Sequence, residues 1–432
     1  MIRTVDAKLM AWKVQGRRKP LIVRGARQVG KSFSISAFGR TQFEELVVVD
    51  LERDRRLHDI FEGDLSAKGL LQQLRLLFNA RLQPGTSLLF LDEVQACPNA
   101  IRALRYFWED CPELHVIAAG SLLDFALGEI SFPVGRVQFL EMVPLSFGEF
   151  LLAQDQPMLA QQLEQPPMDL GSTIHETLLK HLRNYFFMGG MPEAVAAFSE
   201  EGGLTAGFEV QRNLAESYRQ DFAKYAPRSD PRCLDAVFAN VSQRVGEQIK
   251  YVRLAEGFSG PTIHKAFDLL LKARVLTKVP SSQPALPLAA SASAKRFKAL
   301  MVDIGLCQWL RGTRYNAPSS QADLSHLHRG AMAEQFVGQQ LLQTQPAGLH
   351  YWARDVRGSS AEVDYLIEVG GQVIPVEVKS GSAGRLKSLH MLLEKTPTIP
   401  HALVFSTARY AELAHSRLRF VPLYYAGAMG VC

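Results

Sequence analysis

The chain has 432 residues, a length that predicts two to four domains rather than one. Hydrophobic residues make up 47% of the sequence and charged residues 21%, which excludes an extensively disordered protein. No apolar run approaches the roughly 18 to 20 residues that a membrane-spanning helix requires, and the first residues lack the apolar stretch of a secretion signal. We therefore expect a cytoplasmic protein without a membrane segment.

The net charge and the cysteines restrict the functional classes only slightly. The 48 basic and 43 acidic residues leave a charge of +5. This value permits nucleic-acid binding without demonstrating it, because the clustering of charge on one face matters more than the total. The 5 cysteines are far apart and form no CxxC pair, so we expect neither a disulfide framework nor a zinc site.

Up to about residue 150, short apolar runs alternate with helical stretches. Several runs are almost wholly apolar, as in the central strands of a parallel sheet that is covered by helices on both faces. The alternation of strands and helices predicts an α/β sheet with right-handed crossovers. The predicted strands contain residues 21–23, 46–49, 88–91, 116–118 and 137–140.

A phosphate-binding loop follows the first predicted strand and precedes a predicted helix. Its sequence fits the pattern G-x-x-x-x-G-K-[ST]. Glycines allow backbone N–H groups to surround phosphates, and the N-terminus of the following helix adds positive potential. We expect Lys31 to reach the β- and γ-phosphates and the Ser32 hydroxyl to hold Mg²⁺. The pattern predicts an ATP site formed by Gly25, Ala26, Arg27, Gln28, Val29, Gly30, Lys31 and Ser32.

An acidic motif follows the third predicted strand. Asp92 and Glu93 come directly after four apolar residues, at the C-terminal end of the strand, where open α/β sheets bind ligands. We expect Asp92 to position the water shell of Mg²⁺, and Glu93 to orient or deprotonate the attacking water. Together with the phosphate loop, this motif predicts ATP hydrolysis.

Two further residues have more than one interpretation. Ser121 follows the fourth predicted strand, where it could contact the γ-phosphate as a catalytic residue or cap the next helix. Arg136 precedes the fifth predicted strand, where it could act as a catalytic arginine finger on the nucleotide of a neighbouring subunit. An ordinary surface arginine would explain the same position.

The middle of the chain has a different pattern. Residues 151–230 are predicted to be helical, and residues 232–279 predict two or three short helices followed by a strand, the order of a winged-helix domain. The helix from Pro261 to Arg274 would turn its basic residues outward, toward DNA phosphates or toward a protein partner. Residues 280–294 are rich in Pro, Ala and Ser and predict a loop or linker.

The last 120 or so residues again predict strands, at 349–353, 362–369, 372–379 and 402–406. The second and third flank Gly370-Gly371 and read as a β-hairpin. A two-residue turn places Val369 opposite Gln372, and the same register places Asp364 opposite Glu377. Two opposed carboxylates are unfavourable unless something neutralises them, and a divalent cation would do so.

The same register places Glu362 opposite Lys379 on the hairpin. A cross-strand ion pair between these two residues is therefore a structural alternative to a metal site. Glu334, on the predicted helix that precedes the hairpin, is a further acidic residue that could join the metal ligands. The sequence alone does not decide between these two arrangements, because geometry determines a metal site.

The motifs above, taken together, resemble AAA-type P-loop ATPases of bacteria and archaea whose C-terminal part is an uncharacterised winged-helix and nuclease-like region. The resemblance covers nearly the whole chain. It implies a five-stranded ATPase core, a helical lid and assembly into a homo-oligomer, but no physiological role. The matching segments are Gly25 to Ser32, Leu88 to Gln95, Ala119 to Ser121, Gly135-Arg136, Pro144 to Phe147, Glu149-Phe150, Gly189 to Glu193 and Ile374 to Ser380.

The hairpin carboxylates also resemble the PD-(D/E)xK nuclease fold. That resemblance implies that Glu334, Asp364 and Glu377 hold Mg²⁺, which activates water for phosphodiester cleavage, while Lys379 stabilises the developing charge. Val363 departs from the pattern, because a proline often precedes the aspartate. Many proteins of this fold bind nucleic acid without cleaving it, so cleavage is one of two interpretations.

The expected fold is α/β, with a P-loop AAA-type parallel sheet (1–150), a helical lid (151–230), a winged-helix domain (231–310) and a C-terminal α/β nuclease-like domain (311–432). The leading functional hypothesis is a Mg²⁺-dependent, homo-oligomeric ATPase that acts on or with DNA and has a C-terminal nuclease-like domain. The alternative is an ATP-controlled switch that binds DNA or protein and cleaves nothing.

Overall fold

The computed structural model describes residues 3–121, 123–126, 135–225, 229–313, 330–345, 347–354, 361–379 and 386–428, and only the backbone for residues 201–202, 223–225 and 414. Ser380, at the end of one matched motif, lies outside these ranges. By its contacts the chain forms two compact units. The N-terminal unit contains Ile2–Val143 with Lys272–Arg274, and the C-terminal unit contains Pro144–Leu271 with Val275–Cys432.

A parallel sheet of five strands forms the centre of the N-terminal unit, as the sequence predicts. The strand order is β2-β3-β4-β1-β5, so β1 is flanked by β4 and β5. Register pairs Arg24 with Gly120 and with Glu141, which places the carboxyl ends of these strands at one edge of the sheet. The strands are β1 (Leu21–Arg24), β2 (Glu45–Asp50), β3 (Ser87–Asp92), β4 (His115–Gly120) and β5 (Gln138–Glu141).

Helices cover this sheet through apolar faces with helical spacing. Leu70 and Leu74 from one helix and Leu104 and Phe107 from another belong to the same buried cluster as Leu91 of β3. Each side chain of this size contributes about 1.5 to 3 kcal/mol when it is fully buried. The helices of the unit are α1 (Thr4–Lys13), α2 (Lys31–Gln42), α3 (Ala67–Phe78), α4 (Pro98–Asp110) and α5 (Leu123–Ala126).

The C-terminal unit combines helices, a β-hairpin and a second sheet. Its helices begin with α6 (Phe147–Ala153), so the chain passes between the units at Val143-Pro144, shortly before the boundary predicted at 150. The next helices are α7 (Pro157–Leu163), α8 (Gly171–Met188), α9 (Pro192–Ala197), α10 (Gly203–Tyr225), α11 (Pro231–Gln243) and α12 (Gly260–Lys272). They are followed by α13 (Ile304–Leu310), α14 (Gly330–Leu341) and α15 (Lys387–Lys395).

An antiparallel hairpin follows α12 and is formed by β6 (Leu276–Pro280) and β7 (Phe297–Met301). Residues 280–294 therefore connect two paired strands rather than two domains, and Pro280 itself pairs with Phe297. Helices α11 and α12 followed by strand β6 agree with the predicted order of helices and a strand. Strand β7 was not predicted. Arg274 does not belong to the helix predicted from Pro261 to Arg274, because α12 ends at Lys272 and Arg274 has a φ of +57°.

The second sheet has six strands in the order β12-β13-β11-β10-β9-β8. Four of them were predicted within one or two residues, whereas the two short C-terminal strands were missed. Leu389 and Leu392 of α15 pack in one buried cluster with Val363 and Val404 of the sheet. The strands are β8 (His350–Ala353), β9 (Glu362–Val369), β10 (Gln372–Val378), β11 (Ala402–Ser406), β12 (Ala411–Leu413) and β13 (Leu418–Pro422). No helix within the described ranges is long and apolar enough to cross a membrane.

Asp303 fixes the glycine pair that follows α8. Its buried carboxylate accepts hydrogen bonds from Gly190 N at 2.6 Å, from Leu306 N at 3.0 Å and from Gln339 Nε2 at 3.3 Å. A Cβ at Gly189, whose φ is +66°, would lie 2.0 Å from Asp303 Oδ1. Only glycine therefore fits there, and the matched motif at 189–193 has a structural role in this unit.

We predict that Asp303→Ala lowers the free energy of unfolding by about 3 to 5 kcal/mol, because it leaves buried donors unsatisfied and removes the cap of α13. The measurement is the urea midpoint of the full chain. Asp230→Ala is the matched control, since Asp230 caps α11 by accepting from Arg232 N at the surface. A loss for Asp303→Ala no larger than the loss for Asp230→Ala would contradict this role.

Candidate functional site

The phosphate loop joins β1 to α2 at the carboxyl edge of the N-terminal sheet. Gly25 has a φ of +155°, and a Cβ there would lie 2.0 Å from the carbonyl oxygen of Met142. Gly30, at the N-terminus of α2, has a φ of +89°. The loop backbone therefore requires glycine at both positions of the pattern, as expected for N–H groups that surround phosphates.

Lys31 lies at the first position of α2 and its side chain is buried beneath the loop. Its Nζ donates to the carbonyl oxygens of Gly25 at 3.0 Å and Ala26 at 2.8 Å. Burial lowers the pKa of Lys31 to about 8, while Glu93 and Asp92 favour the charged form. Neutral carbonyls are weaker partners for a buried ammonium than an anion is, so the site is suited to accept a polyphosphate.

Ser32 and Asp92 lie together, as the sequence predicts for two Mg²⁺ ligands. The Ser32 hydroxyl hydrogen-bonds the Asp92 carboxylate at the end of β3, and burial raises the pKa of Asp92. Asp92 Oδ1 also accepts from Glu93 N at 3.0 Å. A hydroxyl and a carboxylate beside a phosphate site are the hard oxygen ligands that Mg²⁺ prefers, so this pair fits the ion.

Glu93 is held by a residue for which the sequence suggested no role. Gln95 Nε2 donates to Glu93 Oε2 at 2.6 Å, and Glu93 has the left-handed φ of +47°. The same glutamine packs against Gly120 at the end of β4, where a Cβ would lie 2.1 Å from Gln95 Oε1. The carboxylate of Glu93 therefore lies at the carboxyl edge of the sheet, beside the phosphate loop, which we call the nucleotide edge. In this conformation it is hydrogen-bonded to Gln95.

Ser121 is buried directly after β4 and contacts the phosphate loop. Arg27 Nε, from the loop itself, donates to Ser121 Oγ at 3.3 Å. This hydrogen bond places Ser121 beside the phosphate loop, and its contact with the γ-phosphate stays a prediction. The sequence identified Arg27 as a loop residue only, and its contact with Ser121 required the fold.

Arg136 lies at the opposite edge of the sheet. Gln138 pairs with Leu21 at the beginning of β1, so residues before Gln138 are remote from the loop after Arg24. Arg136 Nε forms an ion pair with Glu109 at 3.0 Å, and its guanidinium lies 5.1 Å from the centre of the Trp108 ring. A finger role is therefore restricted to the nucleotide of another subunit.

Arg274 is a basic residue of the nucleotide edge that sequence reasoning assigned elsewhere. Its contacts place it in the N-terminal unit, where its guanidinium pairs with Asp124 at 2.8 Å and with Glu141 at the end of β5. It is close enough to Lys31 to disfavour the charged form of that lysine. Arg274 was expected to lie on an exposed helix face, but its guanidinium forms ion pairs with Asp124 and Glu141 instead.

The predicted register of the C-terminal hairpin is confirmed. Gln372 pairs with Val369, and the ladder continues to Val376 opposite Tyr365. Asp364 is next in this register, and its Oδ2 accepts from Val378 N at 2.8 Å. Burial and the nearby Asp364 raise the pKa of Glu377 to about 7. The two carboxylates are therefore close enough to repel, as predicted.

Lys298 of β7, which sequence reasoning missed, neutralises a group of carboxylates. This C-terminal carboxylate cluster consists of Glu334, Glu362, Asp364 and Glu377. Lys298 Nζ lies 2.8 Å from Glu334 Oε1 and 3.4 Å from Asp364 Oδ1, and it also pairs with Glu362. The side chain is only 3% exposed. These carboxylates raise the pKa of Lys298 against the opposing effect of burial. The signal in the sequence was a single lysine within the apolar strand Phe297–Met301.

The alternative ion pair between Glu362 and Lys379 is wrong. Glu362 pairs with Lys298, while Lys379 Nζ, just after β10, pairs with Glu377 Oε1 at 2.6 Å. This arrangement does not fit the predicted Mg²⁺ site, because an ammonium contacts Asp364 and Glu334 where a metal ion would be expected. In the part of the chain that the structure describes, no group of three or more His, Cys, Asp or Glu residues is arranged to hold a metal ion.

Comparison with known protein families assigns only the N-terminal part of the chain to a characterised class. Residues 17–151 match the family described as "AAA domain". Residues 179–317 and 329–425 match two domains of unknown function, DUF8612 and DUF4143. No curated protein has a significantly similar sequence.

Similar solved structures are distant from this chain. The Walker-type ATPase PABY2304 of Pyrococcus abyssi is 14% identical with a TM-score of 0.46, over 72% of this chain and 95% of that chain. Orc1 of Aeropyrum pernix, solved in complex with DNA, is 13% identical with a TM-score of 0.26, over 76% and 95%. A point variant of RuvB from Thermotoga maritima is 14% identical with a TM-score of 0.29, over 64% and 87%.

The fold, the phosphate loop and the family match agree on the N-terminal unit. The parallel sheet places a complete loop beside Asp92 and Glu93. Within the matched range 17–151, these are the parts that P-loop enzymes use to bind and hydrolyse a nucleoside triphosphate. The chain therefore contains an AAA-type P-loop domain and is an ATP hydrolase.

Proposed function

We propose that this protein is a Mg²⁺-dependent ATPase that works with DNA as a homo-oligomer. The observation that carries the proposal is the grouping of Lys31, Ser32, Asp92 and Glu93 at one edge of the parallel sheet. Phosphoryl transfer needs positioning and charge stabilisation more than covalent chemistry, and these side chains supply both.

The residues have distinct roles in this proposal. Lys31 exchanges its carbonyl partners for phosphate oxygens. Ser32 and Asp92 would hold Mg²⁺, and the bound ion would supply positive charge against the phosphates. Glu93 accepts a hydrogen bond from the attacking water once its contact with Gln95 is broken. Arg27, in the loop, and Ser121, beside it, stabilise charge on the γ-phosphate.

Support for DNA binding comes from the helix–helix–hairpin segment of the C-terminal unit. Lys250, Arg253, Lys265 and Lys295 are exposed on this segment, whereas Ile263 and Phe267 of α12 are buried. Exposed lysines and arginines contact phosphates without reading sequence, so the expected binding is salt-dependent and of low sequence specificity.

A second candidate function is an ATP-controlled switch that binds DNA or protein without cleavage. The specific observation in its favour is the ion cluster around Lys298, which takes up the carboxylates of the expected nuclease centre. Both candidates hydrolyse ATP. The C-terminal unit acts on or with DNA in the first candidate, and it only binds DNA or a protein partner in the second.

The first prediction from this proposal concerns the nucleotide site. Lys31→Ala should weaken Mg²⁺-ATP binding about 10- to 100-fold, because a charged hydrogen-bond partner is worth about 1.5 to 3 kcal/mol. Glu93→Gln should retain affinity and slow hydrolysis at least about 100-fold. Nucleotide titration and steady-state turnover measure the two effects.

The controls for this prediction are Lys68→Ala and Glu52→Gln, which change exposed residues of the same unit. Both should behave like the unmodified protein. An unchanged affinity in Lys31→Ala, or full turnover in Glu93→Gln, would contradict the proposed roles.

The second prediction concerns assembly. Arg136→Ala and Glu93→Gln should each be inactive alone, whereas an equal mixture should recover up to about a quarter of normal turnover through interfaces that combine an intact Glu93 with a neighbour's Arg136. Arg105→Ala is the matched control, since Arg105 also pairs with Glu109. Normal activity of Arg136→Ala, or turnover per subunit that is independent of concentration in a monomer, would contradict assembly through this residue.

The third prediction concerns DNA. Combined Lys250→Ala, Arg253→Ala and Lys265→Ala should weaken binding of a labelled duplex at least about tenfold and reduce the slope of log K against log salt by about 2 to 3. Changing the exposed residues Lys387, Lys395 and Lys68 to alanine removes the same charge elsewhere. If both triple variants bind DNA equally well, the segment is not the DNA surface.

A further inference from the structure

We infer that Lys298 is the built-in cation of the C-terminal carboxylate cluster and that it excludes divalent metal ions from this cluster. Removing its ammonium group should create a site for Mg²⁺ or Mn²⁺ from the same carboxylates. The inference concerns the C-terminal unit alone and does not depend on ATP hydrolysis.

The first support is the match between donors and acceptors. A lysine ammonium has three N–H groups, and Lys298 Nζ meets carboxylates of Glu334, Glu362 and Asp364. Its charge also faces the ring of Tyr351, with Nζ 5.2 Å from the ring centre. The three carboxylates use all three donors of Lys298. The ammonium therefore occupies the place among these carboxylates that a bound cation would take.

The second support is that the lysine cannot share the cluster with a metal ion. A divalent cation would need oxygens of Glu334 or Asp364 that already accept from the ammonium. Two cations in contact with the same buried carboxylates repel each other strongly, since little solvent screens them. Occupation by lysine and occupation by metal are therefore alternatives.

The third support is an unused acceptor beside the ammonium. Glu377 is 7% exposed; its Oε1 accepts from Lys379, and its Oε2 has no hydrogen-bond partner within the described residues. Asp364 continues the hairpin register opposite Glu377, and its Oδ2 accepts from Val378 N at 2.8 Å. Loss of the Lys298 charge would leave four neighbouring carboxylates, of which Glu334 and Glu377 are buried, with Lys379 paired to Glu377. Divalent cations with oxygen ligands favour such a group.

The position of Lys298 is fixed by the hairpin that carries it. β7 pairs along its whole length with β6, and the residues after β6 contact β8 through Ser282 Oγ and His350 Nδ1 at 2.7 Å. Ser281 also bridges to Tyr351. The backbone of Lys298 is thus held beside the carboxylates by main-chain pairing, and a metal ion could enter only if the lysine side chain were displaced.

The test is calorimetric titration of the full chain with Mn²⁺ in the absence of nucleotide. All proteins carry Asp92→Asn, which removes the expected metal ligand of the N-terminal unit. The Lys298→Met variant should bind one Mn²⁺ at least tenfold more tightly than the protein with Lys298 intact, and its melting temperature should rise with Mn²⁺. Adding Asp364→Asn should abolish both effects.

Two further variants make the result decisive. Lys379→Met is the matched control, since it removes the other lysine of the cluster and should gain no Mn²⁺ binding. If Lys298→Met does not fold, the Lys298→Met, Glu334→Gln double variant restores the charge balance and leaves Glu362, Asp364 and Glu377 as ligands. Turnover of ATP, measured with Asp92 intact, should be the same with and without Lys298→Met.

Two outcomes would overturn the inference. One is stoichiometric Mn²⁺ binding by the protein with Lys298 intact that disappears in Asp364→Asn. The other is the absence of any gain in Mn²⁺ binding by both the Lys298→Met and the double variant. Neither outcome affects the proposed ATPase, whose failure would appear as unchanged turnover in Glu93→Gln.

Discussion

A buried ammonium group must have acceptors, and two lysines of this protein meet that constraint in opposite ways. Lys31 has only the carbonyls of Gly25 and Ala26 as hydrogen-bond acceptors in its own loop, which leaves its charge available to an incoming polyanion. Lys298 has three carboxylates, which leave no donor for anything else. The first arrangement creates a ligand site, and the second closes one.

The N-terminal arrangement could be predicted because it is local. Eight consecutive residues form the loop, and the apolar run before Asp92 is sufficient to place that carboxylate at the end of a strand. Parallel pairing then brings separate strand ends to one edge without further information. The register of the Gly370-Gly371 hairpin was predictable for the same reason, since a two-residue turn fixes every later pair.

Contacts between distant segments could not be predicted in this way. Lys298 is 36 residues from Glu334 and 66 from Asp364, so its partners depend on how the β6–β7 hairpin packs in the C-terminal unit. Arg274 was predicted to be the last residue of a helix with outward basic side chains. The helix ends at Lys272, and Arg274, which has a left-handed backbone, pairs with Asp124. A buried charge in an apolar strand indicates that a partner exists without identifying it.

The central claim is that one carboxylate site of this protein takes a metal ion and the other takes a lysine. A crystal structure of the full chain with Mn²⁺ and a non-hydrolysable ATP analogue tests it directly, because anomalous scattering locates manganese. The account predicts a peak beside Ser32, Asp92 and the phosphates, and none between Asp364 and Glu377. A peak at Asp364 with Lys298 displaced, or no peak at Asp92 with nucleotide bound, would contradict it.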